Sequence, residues 1–312
     1  MREIRCALCN GNETIPFLTV PDRYFPADKR KYTLVQCSQC GLVYLNPQPT
    51  MEEMARYYPS EYAPYLTEYD VLAHNRLYEV IKKIQRLFRR NVKILATPDQ
   101  TKEKEVDMQT RLKVLDFGCG SGRFLLNLKA AHPLWDLYGF DIGTNEEIRN
   151  IDTAIKVIVD TPSSLSIHFA KESFGRIYLN NVLEHVNDPI LTLQNLAMLL
   201  QPHGTMVIEV PNIDSIKFKI FRSKYSVLEL PRHLYHFSPK TLTELCQKCG
   251  LSVEGIEKTG ASKSTVRSIF YALGMYQDKV DPLLLWVVDK LTKLVGEKKI
   301  NDDSMIAQVK KI

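Results

Sequence analysis

The chain has 312 residues, 45% hydrophobic and 25% charged, with a formal net charge of +5. That composition excludes a disordered or membrane-embedded chain and leaves room for one large domain or one domain with attachments. The charge is mild and Lys and Arg are spread along the chain, so charge alone does not point to nucleic acid.

The first five residues carry no apolar signal-peptide core. The apolar run at residues 283–288 falls far short of the roughly 18–20 residues that span a bilayer. A cytoplasmic protein is therefore expected, and the cysteine usage agrees. Cys6 and Cys9 form one CxxC pair, and Cys37 and Cys40 form a second. Two such pairs in a reducing compartment predict a four-thiolate Zn2+ site. Four thiolates leave no open coordination position, so the zinc would be structural. The gap of 27 residues between Cys9 and Cys37 contains the strand-like run Tyr32–Gln36, which suits a zinc ribbon over residues 1–50. Chance pairs or a redox dithiol are the competing readings.

Thr50-Met51-Glu52-Glu53 reads as a capping box opening a short helix. The aromatic stretch at residues 57–65 reads as linker packing, with a lid over a site as the alternative. Leu77, Ile81, Ile84 and Phe88 share a helical face, which predicts a helix from about 67 to 95. The basic residues around that helix read as a solvated face. Residues 51–110 form a helical connector on this reading.

From residue 111 onward, strands and helices alternate. Strands are expected at Lys113–Asp116, 137–141, 156–160, 175–180 and Thr205–Val210, the last preceded by a turn at 201–204. Helices are expected at about 121–131 and 189–200. This rhythm predicts an α/β, Rossmann-like doubly wound sheet of parallel strands over residues 111–275. Ligands of such sheets bind beyond the carboxyl ends of the strands. Asp116, Asp141, Asp160 and Asn180 all fall at that edge.

The stretch from Val114 to Gly122, with Gly118, Gly120 and Gly122 at alternate positions, decides which ligand is expected. A dinucleotide fingerprint has the spacing GxGxxG and holds a pyrophosphate. Here the spacing is GxGxG and an acid stands two residues ahead. A carboxylate there opposes a pyrophosphate and suits an ammonium group. Asp141 at the next strand end is placed for ribose hydroxyls, and Asp160 at the third for an adenine amino group. A nucleoside bearing a cationic amino acid is S-adenosyl-L-methionine.

At these residues the sequence resembles the class I S-adenosylmethionine-dependent methyltransferases. Val-Leu-Asp-Phe-Gly-Cys-Gly-Ser-Gly at 114–122 is similar to their glycine-rich motif. Residues 138–141 resemble the acidic second-strand motif, 174–186 the fourth-strand motif, and 199–208 the turn and fifth strand. The resemblance implies that Asp116, Gly118, Gly120 and Gly122 hold the methionine part, Asp141 the ribose, and Asp160 with Thr161 the adenine edge. Cys119, Ile142 and Asn180 complete the cofactor-binding set. Position 175 is Gly where many relatives have Asp, and position 181 is Asn where relatives with the Leu-Glu-His run often have His. The four-cysteine module, with Val-Leu-Glu-His and Pro-Arg-His-Leu-Tyr-His-Phe-Ser, resembles a bacterial branch found among sugar and cell-surface glycan biosynthesis enzymes. That implies a small, sugar-derived acceptor, with O-methylation favoured over C-methylation because the large further domain of the C-methylating relatives does not fit in this length.

Glu184 and His185 follow the fourth strand and are candidates to align the acceptor and take its proton, with helix capping as the alternative for His185. Arg232, His233, Tyr235 and His236 form a second polar cluster, for acceptor binding or for stabilising the loop at 212–230. His233 and His236 with Glu184 are also a candidate metal trio, ranked below both. Ser238 and Pro239 read as N-cap and first residue of a helix. Cys246 and Cys249 read as helix-face residues. Leu284, Val287, Val288, Leu291 and Leu294 share a face in a helical tail at 276–312, for core packing, a homodimer or peripheral membrane contact. Nucleic acid is disfavoured as a partner because the ribbon lacks a dense basic patch. A scaffold that binds the methyl donor without turnover is the non-enzymatic alternative.

Overall fold

A computed structural model describes residues 1–23, 29–58, 111–143, 154–260, 262–274 and 302–312. Among them, seven strands make one sheet: β4 (Lys113–Phe117), β5 (Asp136–Asp141), β6 (Ile155–Val159), β7 (Phe174–Asn180), β8 (Leu200–Pro211), β10 (Leu251–Thr259) and β11 (Ser304–Lys311). Their order is β10-β11-β8-β7-β4-β5-β6. The pairs β4–β5, β5–β6, β4–β7 and β7–β8 are parallel. Val114, Leu115 and Phe117 of β4 are all buried, as a central strand covered on both faces requires. The chain leaves β4 for β5 on one side and returns to β7 on the other. The carboxyl end of β4 is therefore the switch point where such sheets bind ligands.

The expected strands form, with differences at the ends. The fifth predicted strand was expected to start at Thr205 after a turn; β8 instead begins at Leu200 and absorbs residues 201–204, with His203 at φ 66°. The sheet is mixed, because β11 runs antiparallel to both β8 and β10. This corrects the expectation of a wholly helical tail and of a sheet built from parallel strands alone. In β11 the side chains of Met305, Ala307 and Val309 are buried while their neighbours are less so. That period of two is a strand pattern, masked in the sequence by its short length. The amphipathic segment at 284–294 and the helix expected at 67–95 lie outside the described residues.

Three strands of the N-terminal region, β1 (Thr14–Pro21), β2 (Lys31–Cys37) and β3 (Val43–Leu45), make an antiparallel sheet. Its fourth strand, β9 (Tyr235–His236), comes from the loop far along the chain. Cys6, Leu8 and Tyr44 share one apolar cluster with Leu115, Leu183, Phe237 and Leu245. The N-terminal module and the α/β unit therefore have a common core. The capping box at Thr50 and Glu53 forms as read: Thr50 N donates to Glu53 (2.9 Å) and Glu53 N to Thr50 Oγ1 (3.3 Å). Ser238 caps Pro239–Lys248 in the same way. None of the described helices is long and apolar enough to cross a membrane.

A buried ion pair fastens β11. Lys217 Nζ, on the helix Ile216–Phe221, lies 3.0 Å from Asp303 Oδ1 and donates to Ser264 Oγ at 3.3 Å. Asn212 N donates to Asp303 O at 2.9 Å and Asn212 Nδ2 to Asp302 O at 2.9 Å. Removing one partner of a buried pair leaves an uncompensated charge, at a cost of about 3–5 kcal/mol. Lys217→Met is therefore expected to lower unfolding free energy by about 3 kcal/mol or more in urea titrations, and Lys217→Met/Asp303→Leu to recover most of it.

Candidate active site

The glycine-rich turn follows β4 directly. Gly118, Gly120 and Gly122 all have positive φ, at 77°, 51° and 69°. A Cβ at Gly118 would stand 2.4 Å from Val182 Cγ2, so β4 and the segment after β7 approach too closely for any side chain. Nothing lies within 4 Å of the Cβ position at Gly120, which leaves open space against the backbone there. Gly122 ends the turn, and the helix Arg123–Ala131 begins there.

Asp116 is 2% exposed and accepts a 3.3 Å hydrogen bond from Asn180 Nδ2. Burial, and next the charge of Asp141, push its carboxyl up to about 7, against the Asn180 hydrogen bond. Asp141 accepts from Gly120 N at 2.8 Å and from Gly143 N at 3.0 Å, which ties the second strand end to the glycine turn. Asp160 accepts from Thr161 N at 2.7 Å and pairs with His168 at 2.8 Å. The His168 hydrogen bond, then that from Thr161, hold its carboxyl down to about 2. Ile142 is exposed beside Asp141. The Cys119 thiol is buried against Gly139 and Leu125, so this residue brings its backbone to the turn. The sequence could not show this, because a turn residue's side-chain direction depends on the strand packed behind it.

The end of β7 carries the second part of the site. Asn181 takes φ 54° and donates its N–H to Glu209 O at 2.9 Å. Asparagine tolerates this left-handed conformation better than most residues, which gives the departure at 181 a local backbone reason. Glu184 is 0% exposed, and neither of its carboxyl oxygens has a hydrogen-bond partner among the described residues. Burial pushes its pKa well above the ordinary carboxylate range. The rings of His185 and His233 meet edge to face with centroids 4.6 Å apart, and His236 lies 6.0 Å from His233. His233 Nδ1 and His236 Nε2 are buried without partners among the described residues. Burial lowers His185 to about 4, His236 to about 3, and His233 well below the usual imidazole value. The four expected reactive groups are thus brought together, and burial shifts each toward its uncharged form.

Ligand atoms of Glu184, His185 and His233 lie within 4.8 Å of one another. The converging trio includes His185 in place of the expected His236.

Arg232 and Tyr235 are not part of this cluster's reactive surface. Arg232 is 0% exposed and grips Asp22 with two hydrogen bonds of 3.0 and 2.8 Å. Tyr235 donates to Asn187 O at 2.9 Å. Both stabilise the loop, which decides between the two readings of this cluster. Tyr58, in the aromatic stretch, stands with its hydroxyl 2.9 Å from His185 Nδ1. No sequence signal set Tyr58 apart from the five tyrosines between 57 and 69.

At the opposite end of the N-terminal module the four cysteines converge. Cys6 Sγ lies 3.5 Å from Cys40 Sγ, and Cys9 Sγ 3.4 Å from Cys37 Sγ, with all four sulfurs within 4.8 Å. Each knuckle is closed by a backbone bond, Asn10 N to Cys6 O and Gly41 N to Cys37 O. Against the burial that raises a thiol, hydrogen bonds from the Cys40 and Gln39 backbone bring Cys37 down to about 7. A sulfur tetrahedron about 2.3 Å from zinc has edges of about 3.8 Å, close to this spacing.

A family model described as "Methyltransferase domain" matches residues 72–255 of the chain. The chain belongs to this methyltransferase-domain family. Its similarity to individual members is modest. The ubiquinone biosynthesis O-methyltransferase of Mesorhizobium japonicum is 30% identical over 159 residues, which is 48% of this chain and 63% of that protein. The enzyme of the same name from Nitrosospira multiformis is 27% identical over 195 residues, 55% of this chain and 76% of its own length. Among solved structures, the 1,6-didemethyltoxoflavin-N1-methyltransferase of Burkholderia thailandensis has 14% identity and a TM-score of 0.48 over 93% of this chain and 99% of its own. The matched span places both the glycine turn and the Glu184 cluster inside the methyltransferase domain.

A raised folded-state pKa adds stability below the unfolded value and loses it as pH rises through the folded one. For Asp116 that window runs from the ordinary carboxyl value of 3.8 to about 7. Across it, Asp116→Asn should gain on the wild type by about 1.4 kcal/mol per pH unit at most. Urea titrations at pH 4.5, 5.5 and 6.5 measure the difference.

Proposed function

We propose that this methyltransferase domain moves the methyl group of S-adenosyl-L-methionine to a hydroxyl of a small acceptor. The observation that carries the reading is the adjacency of two unlike sites. The open, acid-flanked glycine turn meets, through Val182 against Gly118, a cluster of Glu184 and three histidines in which the Glu184 carboxyl is buried without a partner among the described residues.

The residues present fit the methyl donor. Gly120 leaves room for a ligand against the backbone, and Asp116 meets an ammonium group at a position where a phosphate would be repelled. Asp141 keeps lone pairs for ribose hydroxyls after accepting from Gly120 and Gly143. Asp160 with Thr161 and exposed Ile142 would border the adenine. When bound, the donor supplies a sulfonium-activated methyl carbon. The chain's own residues then position the acceptor and manage one proton. The acceptor oxygen forms its bond to the methyl carbon as the carbon–sulfur bond breaks, and its proton passes to an unprotonated imidazole, for which His185 is the best placed. Burial keeps that ring neutral, and so able to accept, at pH 7. Glu184, protonated in its apolar setting, can donate a hydrogen bond to the acceptor, with His233 and His236 completing the wall.

Hydroxyl methylation is supported by the names of the ubiquinone biosynthesis relatives. A sugar-derived acceptor rests on the resemblance of the four-cysteine branch. Four converging thiols support structural zinc in the N-terminal module.

Calorimetry is expected to show S-adenosyl-L-methionine binding that Asp141→Ala abolishes; a wild type that does not bind overturns the proposal. Because the bound ammonium favours ionised Asp116, affinity should rise about tenfold from pH 6 to pH 8, with proton release. Labelled-methyl transfer into a pool of nucleotide-sugars and phenolic quinone precursors separates the acceptor classes and distinguishes an enzyme from a scaffold. Metal analysis should find one zinc per chain, lost in Cys37→Ser.

A further inference from the structure

The reactive cluster has an unusual support. The Glu184 carboxyl oxygens, His233 Nδ1 and His236 Nε2 have no hydrogen-bond partners among the described residues. Their placement therefore depends on the backbone that carries them, helped at His233 by Glu229, whose carboxylate lies 3.9 Å from Nε2. The backbone from 232 to 236 is held on two sides. On one side Leu234 N and Tyr235 N donate to Glu184 O at 2.7 and 3.2 Å. On the other, Val43 and Tyr44 of β3 pair with His236 and Tyr235, and Leu45 N donates to Leu234 O at 2.8 Å. The near end is closed by the bidentate pair of Arg232 with Asp22, immediately after β1, both residues buried.

Arg232 also touches the cluster directly. Its carbonyl oxygen lies 3.1 Å from His185 Nδ1. A carbonyl only accepts, so in the Nδ1–H tautomer the ring donates to it and Nε2 carries the lone pair. Tyr58 Oη, 2.9 Å from the same nitrogen, accepts as well in that tautomer.

We infer that Asp22, on the four-cysteine module, is a positioning residue for the acceptor site: by clamping Arg232 it fixes the tautomer of His185 and the placement of His233 and His236. The inference rests on the role proposed above for His185. It gives the N-terminal module a part in the reaction without a residue that touches the substrate. Asp22 does this by charge and geometry together. Its two oxygens match the two guanidinium nitrogens, and the pair is desolvated, so neither partner has water as a substitute.

The test uses the zinc-loaded full chain with 15N-labelled histidine. Long-range 1H–15N spectra report which ring nitrogen of each histidine carries the proton, and the signals missing in His185→Gln assign that ring. The wild type is expected to show His185 as a single Nδ1–H tautomer. Asp22→Asn should show mixed tautomers, with affinity for S-adenosyl-L-methionine within about twofold of wild type and labelled-methyl transfer reduced by about tenfold or more, part of the roughly hundredfold a general base supplies. Asp22→Glu should restore the Nδ1–H form in part. If Asp22→Asn fails to fold around its uncompensated Arg232, Asp22→Asn/Arg232→Met removes the charge and should give the same mixed tautomers. A His185 that stays wholly Nδ1–H in the folded variants overturns the inference. A wild type that shows the single tautomer but does not bind the methyl donor overturns the proposed function instead.

Discussion

The hydrogen bonds that hold the segment from Arg232 to His236 between Glu184 and β3 join the three parts of this protein. Without them the N-terminal sheet would lose its fourth strand, and the loop would have no fixed path. The histidines on it would not face Glu184. The constraint is a backbone one: a loop buried in the core must satisfy its N–H and C=O groups, and here β3 and the turn after β7 do so. The Arg232–Asp22 pair adds a charged lock at one end, where the cost of separating two desolvated partners resists any rearrangement.

Around that segment the chemistry divides into two neighbouring environments. At the ends of β4 and β5, carboxyls meet backbone N–H groups and open space, which suits a polar, cationic nucleoside. At the end of β7, a carboxyl and three imidazoles sit in an apolar setting that favours their uncharged forms. Neutral bases and a protonated acid are what a hydroxyl acceptor requires at pH 7. The contact between Gly118 and Val182 brings these two environments within one side chain of each other, which explains why the turn admits no Cβ at that position.

Much of this was legible in the residues. The glycine spacing, the acid two positions ahead and the strand-end acids at 141 and 160 locate the turn because strand ends and tight turns are local features. The four cysteines were legible for the same reason: each pair closes its own knuckle. Arg232 was not. As one of four polar residues between 232 and 236 it fitted acceptor binding as well as loop support, and only its burial against Asp22, 210 positions earlier in the chain, shows it to be a brace. The direction of the Cys119 side chain was not legible either, since packing against β5 turns it inward. The strand at Ser304–Lys311 was hidden among helical signals because eight residues of alternating burial are weak until a sheet edge is there to receive them.

The sequence by itself determined the α/β rhythm, the glycine turn with its acids, and the pairing of cysteines into knuckles, since each depends on residues a few positions apart. The tertiary structure alone decided that the N-terminal module shares its core and its sheet with the methyltransferase domain. It also decided which polar residues of 232–236 face the cluster and which brace it, and that the end of the described chain is a strand. Those outcomes depend on burial and on partners far apart in sequence, where the energy of a group is set by what surrounds it and not by its neighbours along the chain.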